Sequence, residues 1–148
     1  MALLLTLVMA TALGPSSTSA TGSCFKPDGI VRIEFSKREY PRIHRHFQGA
    51  LGRGWPRRLV VNRPLADERR ERATASVPTK DGFDRDEYPP AVGRGRGGEG
   101  LTRGRDPRGW KADVRYVPSS ENRSHGASLG NQLSPFCNGT RFKYVFTR

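Results

Sequence analysis

The chain has 148 residues, with 26 Lys and Arg against 14 Asp and Glu, a formal charge of +12 and a pI near 10.8. That length suits one domain, and 34% hydrophobic residues with 17 Gly and 11 Pro leave room for only a modest core between long loops. A balance this basic points to nucleic acid, an acidic polymer or a membrane surface; the plainer reading is a solvated cationic surface that aids solubility.

Residues 1–23 read as a secretory leader. The apolar run from Ala2 to Leu13 is too short to span a bilayer, and the small residues after it offer a cleavage site at Thr18-Ser19-Ala20. No Lys or Arg precedes the run, so either the signal is atypical or the true start lies upstream. Export implies an extracellular protein, residues 24–148, with no stable membrane association. Cys24 and Cys137 are the only cysteines and sit at opposite ends of that segment. An oxidising compartment lets them pair, and closing so long a loop contributes roughly 4–5 kcal/mol on the chain-entropy account; two free thiols are the alternative. Thr21-Gly22-Ser23-Cys24 makes a poor lipobox, because an aliphatic residue normally stands where Thr21 does.

Val31, Ile33 and Phe35 alternate with Arg32 and Glu34, the period of a strand. A helix is expected from about Pro41 to Leu51, with Pro41 in its first turn, Ile43, Phe47 and Leu51 along one face, and Gly52 and Gly54 ending it. Leu59 to Val61 fits a short buried strand, residues 66–75 a charged helix, and residues 78–82 a turn. Residues 93–110 hold seven glycines and five arginines and read as a mobile surface loop without a core. It is either a solvated insertion or a phosphate contact through Arg94, Arg96, Arg103 and Arg105, since arginine grips phosphate bidentately. Asp113 to Val117 forms a second strand, and Pro118-Ser119-Ser120 leads into a helix with a serine as its cap and Glu121 in its first turn. Leu129 and Leu133 share a face of that helix. Asn138-Gly139 marks a turn, and Phe142, Tyr144 and Phe146 alternate along a closing strand. The mixed order makes the fold class α+β.

The segment from Asp81 to Glu87, DGFDRDE, packs four of the 14 acids into seven residues of a basic chain. Crowded carboxylates repel and raise one another's pKa unless a cation or an arginine sits among them. An acidic pocket on a basic surface suits a hard divalent metal and a polyanion together. Hydrolysis of a phosphodiester calls for a metal to stabilise charge, a base to activate water and a cation to hold the phosphate; Asp84-Arg85-Asp86-Glu87 contains all three residue types. In an extended chain Asp84 and Asp86 share one face, and Arg85 and Glu87 the other. A solvent-exposed charged turn before Pro89-Pro90 is the bland alternative. His44 and His46 lie two apart on the expected helix and point to different faces, so they make no zinc pair. No nucleophilic Ser or Cys motif and no phosphate-cradling glycine loop is present. Asn122-Arg123-Ser124 and Asn138-Gly139-Thr140 are formal glycosylation sequons that matter only in a eukaryotic source.

Gly82-Phe83-Asp84-Arg85-Asp86-Glu87-Tyr88-Pro89 resembles the GYDRDEWP motif of the NucA/NucB-type secreted deoxyribonucleases. Ala112 to Val117 resembles that family's ADVRYV strand, Ser120-Glu121-Asn122-Arg123 its SDNR, Gly130 to Ser134 its GNQ(M/L)S, and Asn138 to Arg141 its DGTR. The motifs occur in the family's order, with weaker similarity back through Tyr40-Pro41 and His46. The resemblance implies a small metal-dependent endonuclease with a ββα-metal active-site core, Mg or Mn as cofactor and DNA as substrate; a monomer is expected, and a protein inhibitor stays open as a partner. By position Glu87 stands where related nucleases carry a histidine base, and Asn122 where they carry a magnesium-binding asparagine. Arg85 would hold the phosphate, with Arg123 as a further phosphate contact. Asp86 and Asp84 would serve the metal, and Asp86 stays open beside Glu87 as the base. Glu121, Asn131, Gln132 and His125 would support the site. The chain departs from the family's GAGSWVGNQ at Ser124 to Gln132: the tryptophan is lost, and His125 is new, either assisting at the site or lying exposed on the helix. The rivals are a non-catalytic cationic DNA-binding or antimicrobial protein with a degenerate site, and a metal-independent ribonuclease.

Overall fold

The computed structural model describes residues 23–98 and 100–148; the expected leader lies outside them apart from Ser23. The elements run β1 (Ile30–Ser36), α1 (Pro41–Gly52), β2 (Leu59–Val60), α2 (Ala66–Thr74), β3 (Phe83–Tyr88), a 3-10 turn (Ala91–Gly93), β4 (Asp113–Pro118), α3 (Ser119–Leu133) and β5 (Arg141–Thr147). This is an α+β domain.

β5 is the middle strand of a three-stranded sheet. β1 pairs with it in parallel from Ile30↔Arg141 to Ser36↔Thr147, and β2 runs antiparallel to it for two residues only. Alternation turns Ile33, Phe35, Phe142 and Tyr144 inward, and all four are buried. α1 presents Ile43, His46, Phe47 and Ala50 to the interior. The buried stripe is rotated from the expected one: Ala50 replaces Leu51, and His46 joins it. Phe47 lies 5.8 Å from Tyr144 of the sheet and 5.2 Å from Tyr88 of β3, so one helix bridges both strand systems.

β3 and β4 form a separate antiparallel hairpin, from Phe83↔Pro118 to Tyr88↔Asp113, and α3 follows β4 without a loop and packs on both strands and on β1. Leu129 and Leu133 carry that packing. No serine side chain caps α3; Pro118 occupies the cap, because the Ser119 hydroxyl is spent on Asp84.

The ends of the domain are held together. Cys24 and Cys137 are joined by a disulfide across a sequence separation of 113. The Phe25 N–H donates to the Pro135 carbonyl at 2.7 Å, and the Cys137 N–H to the Phe25 carbonyl at 2.9 Å.

Residues 93–110 contribute to the core rather than only to the surface. Leu101 is buried among the core hydrophobics, and Arg94 is fully buried. A Cβ on Gly109 would stand 2.4 Å from the Gly95 Cα, so these glycines allow two backbone segments to touch. Arg69 of α2 is also buried, its guanidinium donating to the carbonyls of Asn62, Pro64 and Ala91. Buried arginine needs such saturation, since an unpaired charge away from water is costly.

Candidate active site

β3 lines one side of a cleft of about 430 Å³. The other walls are His46 of α1, Arg70 and Thr74 of α2, and Asn122, His125 and Leu129 of α3. Asp84, Arg85, Asp86 and Glu87 all reach it, while Asp81 lies outside on the exposed turn.

The strand's alternation sorts these four side chains. Asp84 turns towards α3. Its Oδ1 accepts from the Ser119 hydroxyl at 2.8 Å, and its Oδ2 from Arg123 Nε at 3.0 Å and Asn122 Nδ2 at 3.4 Å. The Arg123 hydrogen bonds, aided by Ser119 and Asn122, hold the Asp84 carboxyl below its ordinary pKa. Asp86 turns towards α1, where its Oδ2 lies 2.5 Å from His46 Nδ1. His46 Nε2 lies 3.1 Å from Asp113 Oδ1, and Asp113 in turn accepts from Arg53 Nε at 2.5 Å and Nη2 at 3.0 Å. Burial raises the Asp86 pKa against the lowering pull of His46. Burial would also raise Asp113, but the Arg53 fork and His46 outweigh it and lower its pKa. A histidine between two carboxylates donates to both only as imidazolium; in its neutral form one partner oxygen must carry the proton.

Arg85 and Glu87 face the opposite way. Arg85 Nη1 donates to the carbonyls of Thr74 at 3.1 Å and Val77 at 3.0 Å. Glu87 Oε2 accepts from the buried Arg94 Nη2 at 2.9 Å, and Oε1 from the Ala91 N–H at 3.1 Å, with Arg70 Nε 3.4 Å away. Arg94 also donates to the Pro89 carbonyl at 2.7 Å.

Arg94, expected to touch phosphate, is therefore sequestered: the chain turns back after β3 and places its guanidinium under Glu87. Arg96, Arg103 and Arg105 are exposed, with Arg103 lying 4.6 Å over Trp55. Arg123 is exposed at the cleft rim beside Asp84. Glu121 is not at the cleft; its carboxylate accepts from the N–H groups of Arg42 at 2.7 Å and Ile43 at 2.9 Å, capping α1 from α3. Gln132 is spent on the Glu34 backbone, accepting from its N–H at 3.0 Å and donating to its carbonyl at 2.9 Å, and Asn131 is exposed. His125 is buried, not exposed. It packs 4.4 Å from the Phe35 ring with Nε2 unpartnered, and burial pushes its pKa down to about 4.

His46 gains a central place, and Asp113 and Arg53 join it unforeseen. The signal for His46 lay in the helical period, which sets it between Ile43, Phe47 and Ala50 on the buried face. Nothing local marked Asp113, whose role depends on pairing β3 with β4.

Among the described residues, no three His, Cys, Asp or Glu side chains converge as a complete metal cage. Asp84, Asp86 and Asn122 do bring oxygen donors to one cleft. A hard divalent ion that keeps waters and takes only one or two protein oxygens beside a substrate phosphate suits that set.

A hairpin running directly into a helix, with carboxylates on its first strand and an asparagine in the helix's first turns, defines a β-β-α frame carrying an acidic cleft on a basic protein. No family model matches the chain. It is 34% identical over 115 residues to the DNA-entry nuclease of Bacillus subtilis (strain 168), covering 78% of this chain and 69% of that protein. The chain belongs to the NucA/NucB-type nuclease family.

Proposed function

We propose that the protein is a secreted, divalent-metal-dependent endonuclease that hydrolyses DNA with little base preference. The observation that carries this reading is the joining of Asp84, Asp86, Glu87 and Asn122 in one cleft of a β-β-α frame, in a chain whose relative is named a DNA-entry nuclease. Asp86 and Asn122 would hold the ion, with Asp84 alongside. Mg or Mn there would stabilise negative charge on the scissile phosphate. Arg85, braced by two carbonyls, orients a phosphate oxygen with its remaining donors. A water is deprotonated by Asp86 or Glu87: burial lifts the first towards useful basicity, and the second occupies the position of the related nucleases' base. His46 fixes the Asp86 carboxylate, while Asp113 and Arg53 fix His46. Exposed arginines at the rim and on residues 96–108 grip backbone phosphates, which gives affinity without sequence information.

The test is plasmid nicking by the mature protein with Mg²⁺ or Mn²⁺ and with EDTA, beside Asp86→Asn and Glu87→Gln. Metal-dependent nicking lost in both variants supports the reading. Retained turnover in both removes the site assignment. DNA retardation without cleavage under every metal supports the non-catalytic rival, and metal-independent cleavage of RNA the ribonuclease.

A further inference from the structure

A second cleft, of about 250 Å³, opens beside β5. Its origin is the shortness of β2, which pairs only with Arg141 and Phe142 of β5 and leaves the strand edge beyond Phe142 without a strand partner on that side. Lys37, just past the end of β1, Arg57, just before β2, and Lys143 of β5 surround the opening. No acidic residue lines it, and among the described residues none of these three cations forms an ion pair. Like charges held together without a counter-ion repel, and an anion relieves that repulsion. The floor is aromatic: Phe146 lies there with the His44 ring 4.8 Å from it. Burial, and then Lys37, push the His44 pKa below its ordinary value, so that ring adds a neutral aromatic edge and not a fourth cation. Phe47 and Tyr144 line both this cleft and the acidic one, so the two are back to back across a shared aromatic wall.

We infer that this second cleft is a nucleotide subsite, taking a phosphate between Lys37, Arg57 and Lys143 and stacking a base on Phe146. Cations along a groove with an aromatic platform are the means by which proteins hold single-stranded nucleic acid without reading sequence. The cleft would hold a part of the substrate strand distant from the scissile bond. This rests on the nucleic-acid reading given above, but not on cleavage.

The experiment therefore measures binding and cutting separately. Fluorescence anisotropy in EDTA compares a single-stranded thymidine oligonucleotide with an abasic strand of equal charge, across a salt series. The proteins are the wild type, Lys37→Gln/Arg57→Gln/Lys143→Gln, and Phe146→Leu, each checked for an unchanged thermal transition. The triple variant is expected to lose about tenfold in affinity, and its salt slope to fall by about 0.7, the contribution of one neutralised phosphate on a single strand. Phe146→Leu is expected to weaken the thymidine strand about fivefold and to leave the abasic strand unchanged. With metal present, the triple variant should still cut a short substrate at the wild-type kcat. An unchanged slope in the triple variant overturns the phosphate site, and equal effects of Phe146→Leu on both strands overturn the stacked base. A wild type that binds in EDTA yet cuts nothing with metal removes the nuclease reading while leaving this subsite standing.

Discussion

The two faces of β3 show how one short strand gives neighbouring charged side chains different partners. Asp84 and Asp86 look towards α3 and α1, and their partners are a hydroxyl, an amide, an exposed arginine and a histidine. Arg85 and Glu87 look towards α2 and the start of the Arg/Gly segment, and their partners are main-chain groups and the buried Arg94. On the first face only Asp84, with its exposed arginine partner, can exchange partners with a substrate or an ion at modest cost; Asp86 is buried against His46. On the second face Glu87 is tied to the wholly buried Arg94, and removing one member of such a pair leaves the other charge uncompensated. Residues of one motif thus differ in what their loss would do.

The sharpest way to break this contrast is Asp86→Asn. It should lower cleavage about 10²- to 10⁴-fold, the range for loss of a general base, in protein that still shows a cooperative thermal transition; cleavage at the wild-type rate would remove Asp86 from the chemistry. Arg94→Met should cost about 3–5 kcal/mol of stability in denaturant unfolding, because it strands Glu87. The double variant Arg94→Met/Glu87→Gln should cost clearly less than the sum of the singles, and simple additivity would show that the pair is not coupled.

The acid limb of stability gives a third test. The folded-state pKa of His125 is depressed to about 4 from 6.5, so the unfolded chain takes up a proton that the folded chain refuses. Stability should fall as pH drops from about 6.5 to about 4, by about 3 kcal/mol in all, and flatten below. His125→Leu should remove that slope; if the slope persists, another group owns it. The smallest effect is expected at the rim: Arg123→Ala breaks a pair whose arginine side chain is 75% exposed, so it should leave the thermal transition almost unmoved while weakening DNA binding.

Much of this was legible in the residues. The periods of β1, α1, β5 and the far half of α3 follow from where apolar side chains recur, and collinear motifs mark the family. The four side chains of DRDE alternate as an extended strand requires. What stayed hidden depends on long-range placement. Arg94 sits in a glycine-rich run that looks solvated, and only the return of that run beneath Glu87 makes its guanidinium a buried counter-charge. Glu121 resembles a first-turn acid of its own helix, yet its carboxylate serves the N-terminus of α1 across the fold. The burial of His125 follows from Phe35 and Tyr144 arriving from β1 and β5, elements remote in sequence. Ser119 was available as a cap, but Asp84 competes for its hydroxyl.

The position of β5 has a consequence for how the protein is made. It is the middle strand of the main sheet, and in this domain it is the last element to leave a ribosome. Until it emerges, β1 and β2 have no strand partner, and Phe47 and Tyr88 lack the Tyr144 ring. The β3–β4 hairpin can pair without β5, but the sheet that backs the cleft cannot, so that wall of the site is assembled only when the two ends of the domain meet.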